Sequence, residues 1–503
     1  MLRFWRNPLL ILHVRSELRP ARAVTAVAVT LVVCILVAMA CWSADHTDVR
    51  EFFRDLYSWL LVSQFAVLGV WSAIACGQAV TRERELKTFD FLKTTRLTSA
   101  ELLVGKLLGA PILAYFVVAC TLPVSVVAGL AGGIRPAAVL GSVVLLIAFN
   151  LFYSLVGVWG SMLIEKTSAG AAGLLGLTAN LVALLFAEGP LPGFAAISVV
   201  PALLSLHRLR EFDIGRVLPT VFGVEVPWVI ISLVLYVLLG AWFVLMIVRN
   251  LKRDLPQIQL LSRWQCVGLV AFLNLLFYAF LNPKWVRVEH VYTRPNILPT
   301  EVAALALAWN ATLLFLIGVA ALSPQEKLKG WYRKWTAGNE SYLGKHGLPW
   351  PWLVPAAVIA YALLVAEACG LRSVVPLGEW RLGFVAVLFL AFLIFTARDV
   401  LSLQWCLLTR MKHPVVKGFL FLMLYYAAGI ILGVVTAVFS PASAPKVMAL
   451  LTAFALLGEI QKPSAPTIAL VAMALQLGVC ILILIAIQKR LARPVHVAAA
   501  SAA

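Results

Sequence analysis

Residues 82–106 read RERELKTFDFLKTTRLTSAELLVGK, a block dense in both signs of charge set between apolar runs at 57–80 and 107–131. In a soluble protein such a block would be ordinary surface. Here it is an exception, because 62% of the 503 residues are apolar, only 13% are charged, and the mean hydropathy is +0.95. Soluble domains hold about 45–50% apolar and about 25% charged residues. The chain therefore reads as an integral membrane protein, in which about 20 apolar residues make one helical span.

Apolar runs of spanning length fall near 23–42, 57–80, 107–131, 137–163, 171–187 and 227–248, then 265–281, 302–322, 353–370, 383–403, 415–438 and 467–487. They predict an all-α, polytopic fold of about 12 transmembrane helices in two six-helix halves, 1–255 and 256–503. With the N-terminus inside, 28 of the 41 Lys and Arg residues lie in inside segments, the bias that the positive-inside rule expects. Both termini are thus assigned to the cytoplasmic side of a cytoplasmic (inner) membrane. The net charge of +18 follows from that topology and calls for no nucleic acid. The run Ala23–Trp42 is too long for a signal h-region of about 7–15 residues and is expected to be an uncleaved first span. Two stretches, Phe194–Leu206 and Val447–Leu457, are too short to cross and suit re-entrant or interfacial elements on the outer side. Each precedes the last span of its half.

Within the charged block, Phe89, Phe91, Leu92 and Leu97 alternate with Lys87, Asp90, Lys93 and Arg96, a pattern expected of a short helix at the membrane surface. Thr98-Ser99-Ala100-Glu101 carries a helix-start signal, Thr98 or Ser99 capping with Glu101 in the first turn. A second helix is expected to run from there into the membrane through Gly105-Lys106. Topology accounts for the basic residues but not for Glu83, Glu85, Asp90 and Glu101, nor for aromatic residues in a loop. A rigid docking element accounts for both.

The stretch resembles the cytoplasmic loop of ABC-2 type transporter permeases, on Glu83, Arg84, Glu85, Thr88, Phe89, Asp90, Leu92, Thr94, Thr95, Leu97, Glu101, Gly105 and Lys106. Lys87 stands where that family often has Gly, and Arg96 where it often has Pro. The resemblance extends over the first half: Asn7-Pro8 followed by Leu9–Arg22 looks like an amphipathic helix along the inner membrane surface. The second half resembles the family in layout only. What the resemblance implies is a permease subunit of an ATP-driven transporter, an exporter, whose loop 81–106 docks on a separate ATP-binding cassette ATPase subunit. Membrane lipids and a second permease chain are the other partners it would admit. ATP and Mg would sit on the ATPase, with no cofactor in this chain.

Catalytic signatures are missing. Gly105-Lys106 is followed by Leu107, and Ala100 stands where a nucleotide-binding loop needs its first Gly. HExxH and GxSxG do not occur. No enzyme activity and no metal site are expected, and His46 beside Asp45 and Asp48 reads as a solvated acidic loop. The eight cysteines lie in or beside apolar runs without metal spacing. Glu165-Lys166, Arg398-Asp399 and Glu367 fall near expected span ends, where snorkelling or pairing suffices. Gln64, Asn150, Asn180, Asn274 and Asn310 are expected to bond between helices. The rival readings are a secondary active transporter and a membrane-embedded enzyme acting on lipid-linked substrates.

Overall fold

A computed structural model describes residues 7–43, 48–86, 88, 94, 96–163, 178, 180–184, 191–207, 219–222, 224–253, 260–281, 298–344, 346–371, 382–409, 414–440, 443–452 and 465–492. The chain forms two compact units, 1–258 with 279–285, and 259–278 with 286–503. The first contains α1 (Pro8–Glu17), α2 (Pro20–Ser43), α3 (Val49–Ala66), a π-helical turn (Val67–Trp71), α4 (Ser72–Glu85), α5 (Ser99–Gly109), α6 (Ile112–Ala131) and α7 (Pro136–Leu163). A 3-10 turn (Pro192–Ile197), α8 (Val200–His207), an antiparallel pair of two-residue strands, β1 (Thr220–Val221) and β2 (Val224–Glu225), and α9 (Trp228–Asn250) follow. The second unit contains α10 (Arg263–Ala279), α11 (Leu298–Ala320), α12 (Gln325–Thr336), α13 (Leu353–Leu371), α14 (Leu382–Leu407), α15 (Pro414–Phe439), α16 (Ala444–Leu451) and α17 (Ala465–Ala492).

Helices dominate because a backbone in hydrocarbon must satisfy its own hydrogen bonds. Among the described residues, eight helical segments are long and apolar enough to cross a bilayer: Pro20–Trp42, Val49–Glu85, Ile112–Ala131, Pro136–Met162, Trp228–Asn250, Val385–Leu407, Lys417–Phe439 and Thr467–Ala492. A ninth arises if Leu305–Ala320 and Gln325–Thr336, which meet at 85°, are one broken span. Arg263–Ala279 and Trp350–Ala366 are apolar but shorter. The chain is thus an all-α, multi-pass membrane protein. The expected short elements appear as the 3-10 turn with α8 and as α16, none of spanning length; residues 453–457 lie outside those described.

Prolines set several boundaries. Asn7 caps α1 by accepting from the Leu9 amide at 3.0 Å, with Pro8 at the first helical position. The helix expected over Leu9–Arg22 stops at Glu17, since Pro20 disfavours a helical residue before it and opens α2 instead. Nor does α5 run unbroken into the membrane. Pro111 cannot donate to the Leu107 carbonyl four residues back, so α5 ends at Gly109 and α6 begins at Ile112. The Tyr115 hydroxyl takes that freed acceptor at 2.7 Å and itself receives the Asn150 amide at 3.2 Å.

In the second unit the sharp corner between α11 and α12 is clamped from the side. Buried Arg263 donates to the Ala321 carbonyl, to Ser323 Oγ at 3.0 Å and to the Gly347 carbonyl at 2.8 Å. Gln404 of α14 holds both the amide and the carbonyl of Ser323, at 3.0 and 2.9 Å. The amphipathic α12 then buries Leu328 and Trp331 in a cluster with Leu401, Ile487 and Leu491.

The tightest helix crossing in the first unit is that of α4 on α7. A Cβ at Gly157 would sit 2.3 Å from the Ala73 carbonyl oxygen, a backbone atom unable to yield. Gly157→Ala should therefore destabilise the purified protein, by about 1–3 kcal/mol for an overpacked contact. Gly478→Ala, in the interior of α17 with nothing within 4 Å, should be neutral or stabilising by about 0.5–1 kcal/mol. Thermal unfolding in detergent checks the pair; equal melting temperatures for both variants would contradict this packing.

Candidate functional site

The charged block begins on the last turn of α4 and ends on α5, and the two helices are tied at their bases. Lys106 is 1% exposed. Its Nζ donates to the Ala79 carbonyl at 3.0 Å and pairs with the Glu83 carboxylate, so the ammonium reaches back across the block to α4. Burial lowers the Lys106 pKa and the Glu83 carboxylate opposes that shift. Glu83 also accepts, through its backbone carbonyl, from the Thr88 amide at 3.0 Å and the Thr88 hydroxyl at 3.2 Å. Arg84 Nη1 donates to the Ser161 carbonyl on α7 at 3.2 Å.

Thr98 and Glu101 form a reciprocal capping box: Glu101 N to Thr98 Oγ1 at 3.2 Å, Thr98 N to Glu101 Oε2 at 2.8 Å. The bonds from the Thr98 backbone and hydroxyl hold the Glu101 carboxyl below its ordinary pKa. Asn7 adds a second tie, its Nδ2 donating to the Glu101 carbonyl at 2.7 Å. Gly105 permits this approach, since a Cβ there would lie 2.9 Å from Leu9 Cβ. Beneath these polar ties, Leu102 and Leu103 of α5 join Leu9, Cys76, Val80, Leu155, Val158, Ile247 and Leu251 in one buried cluster, against which Leu97 packs. One turn on, His13 of α1 lies against Gly109. Burial and the nearby Lys106 ammonium depress the His13 pKa.

The residues proposed from sequence thus separate into two groups. Glu83, Arg84, Leu97, Glu101, Gly105 and Lys106 brace the ends of the block from inside. Glu85, Thr88 and Thr94 are exposed, together with Arg82, Leu86 and Arg96. Phe89, Asp90, Leu92 and Thr95, and most of the surface helix expected around them, lie outside the described residues. Asn7 emerges as a brace whose only sequence signal was the Asn-Pro helix start. Among the described residues no group of three or more His, Cys, Asp or Glu could hold a metal ion, and Asp45 and His46 lie outside them.

The second unit holds a polar centre of its own. Arg398 and Asp399 lie inside α14, 2% and 6% exposed, rather than at a span end where snorkelling would serve. Arg398 donates to Asp399 Oδ1 from Nε at 2.8 Å and from Nη2 at 2.6 Å, and to the Tyr425, Tyr426 and Gln476 side chains at 3.0, 3.0 and 2.8 Å. Tyr426 donates in turn to Asp399 Oδ2 at 2.6 Å, and the guanidinium carbon stands 4.4 Å from the Tyr425 ring centroid. Short helix α16 ends on this network: the Leu451 carbonyl accepts from Arg398 at 3.3 Å and the Leu450 carbonyl from Gln476 at 2.8 Å. The arrangement latches α16 to α14, α15 and α17.

Comparisons of the chain with protein-family models, with curated proteins and with solved structures find no match.

Removing one partner of a buried pair costs about 3–5 kcal/mol, whereas replacing both by apolar groups is often neutral. Asp399→Leu should therefore unfold at markedly lower temperature than Arg398→Met/Asp399→Leu, which removes both charges. If the single and double variants melt together, the two side chains do not act as a pair.

Proposed function

We propose that the chain is the membrane permease of an ATP-driven transporter of the ABC-2 type, acting as an exporter, with loop 81–106 received by a separate ATPase subunit. The observation that carries this reading is the brace: the charged block runs between two helix ends that Lys106, Glu83 and Asn7 lock to one another and to α1. A push on the exposed Glu85, Thr88, Thr94 or Arg96 would reach α4 and its long span as a rigid-body displacement, where a floppy loop would absorb it. In this reading the chain has about twelve spans in two six-helix halves and both termini in the cytoplasm. The eight spanning helices would be joined by the bent pair, by the two shorter apolar helices, and by the run 171–187, most of which lies outside the described residues.

Secondary active transport is the second reading. The buried Arg398–Asp399 pair favours it, because carriers keep ionisable groups inside their spans for ion coupling. The network is satisfied within the protein, which suits a latch better than an ion path, so the ATP-driven reading stands first.

Affinity capture of the tagged chain from its native membrane, with ATPase activity and transport measured on the captured complex, separates the two. The ATP-driven reading expects an ATPase subunit to be retained. Glu85→Lys and Leu92→Asp should reduce both retention and transport, by up to about 2–5 kcal/mol where a charge is left unpaired in the contact. Lys334→Glu in the second unit should do less. Transport that follows a proton or sodium gradient, with no ATPase captured, would overturn the reading.

A further inference from the structure

The first unit carries, away from the charged block, a groove of about 390 Å³ between α2, the α3–π segment and α6. Arg22 stands at one end, Val29, Val33 and Val117 form its walls, and Gln64 and Thr121 lie at the far end. Its α2 wall belongs to the least buried of the spanning helices, so the groove lies along a lipid-facing element.

Three features decide what fits it. The first is length. Arg22 and Val33 are separated by about 16 Å of helix at 1.5 Å per residue, close to half of a hydrocarbon core about 30 Å thick. The groove is therefore one leaflet deep.

The second feature is the state of its polar groups. Gln64 spends both amide hydrogens, on Thr121 at 3.0 Å and Ser125 at 3.1 Å. Thr121, Ser63 and Thr25 donate to backbone carbonyls at 3.0, 2.7 and 2.9 Å. No donor from these side chains is left for a sugar or a peptide, and apart from Thr30, Trp71 and, at the mouth, Arg22 the remaining walls are apolar. An alkyl chain is what such a lining solvates best.

Charge at the mouth is the third. Arg15, Arg19 and Arg22 are all exposed at the α1–α2 corner, and Glu17, which pairs with Arg22 at 2.9 Å, offsets only one of them. Exposed Ile11 and Leu12 on α1 suit a helix lying at headgroup level. A cationic corner over a leaflet-deep apolar slot matches a phosphate above an acyl chain.

We propose that this groove holds one acyl chain of an anionic phospholipid from the leaflet on the side of the charged block, with its phosphate beside Arg22. The lipid would fill the space between α2 and its neighbours as a bound component of the first unit.

The test uses the full chain in phosphatidylcholine bilayers doped with phosphatidylglycerol or phosphatidylcholine bearing a photoreactive group in mid-chain, cross-linked sites being mapped by mass spectrometry. Cross-links should concentrate at 25–33 and 113–121, and the anionic probe should win. Arg22→Gln should cut that preference about fivefold, the scale of one basic residue at an anionic surface. Val29→Trp, at an exposed position that leaves the fold intact, and independently Val117→Phe should lower the yield of both probes by filling the slot. Yields equal to those on the lipid-facing side of α15, without headgroup preference, would mean ordinary boundary lipid and overturn the proposal. So would yields unmoved by both groove-filling variants, or a preference that survives Arg22→Gln.

Discussion

An ammonium group buried where helices converge must find a carboxylate, and that requirement organises the first unit. Lys106 is almost fully enclosed, and the nearest way to satisfy it is across the charged block, on the last turn of α4. Once that pair forms, the block can no longer open at its base. The capping box then fixes where α5 starts, Asn7 pins α1 to the same carbonyl row, and a shared apolar cluster seals the floor. The exposed part of the block is left as a short span of chain between two fixed points. Weak surface ion pairs could not do this, since an exposed pair contributes about 0–1 kcal/mol.

The two units solve one problem in different ways. In the first, a cation–carboxylate pair lies between the helices at the base of a loop. In the second, the pair is made by neighbours on one helix and completed by two tyrosines and a glutamine from two others. The bond to the end of α16 gives this centre an object to hold. Ordinary interhelical hydrogen bonds in membranes contribute about 0.6 kcal/mol on average, so the Gln64 bonds to Thr121 and Ser125 fine-tune packing, whereas a charge left buried without its partner costs several times more.

Local signals were legible in the sequence, and distant ones were not. Asn7-Pro8 announced a helix start, and Thr98 with Glu101 announced a cap, because both motifs act within one turn. Multi-pass helical character followed from hydropathy alone. What hydropathy cannot register is a neighbour: Arg398 sits near the end of the run 383–403, yet α14 continues to Leu407 and its partners arrive from Tyr425, Tyr426 and Gln476. Lys106 likewise marks only the point where the second helix enters an apolar run, although the chain turns its side chain inward. Glu83 and Glu101 read as docking charges, and within the fold Glu83 is also a brace and Glu101 also part of a cap. Twelve apolar runs predict about twelve spans; among the described residues eight helices have the length and composition of a span, a ninth arises if the bent pair is one span, two more runs form shorter apolar helices, and the run 171–187 lies mostly outside those residues.

If the Lys106–Glu83 pair holds the base of the charged block rigid, amide hydrogen exchange over residues 99–109 of the full chain in lipid nanodiscs reports it. The side chain of Glu83 is 19% exposed against 1% for Lys106, so the two truncations should differ. Glu83→Ala strands a buried cation and should speed exchange by at least about tenfold, a fraction of the about 3–5 kcal/mol that such a loss costs. Lys106→Met leaves a carboxylate that reaches water and should change exchange far less. Exchange over 99–109 that is fast in the unmodified protein, or unaltered by Glu83→Ala, would mean that the pair does not hold the base of the block.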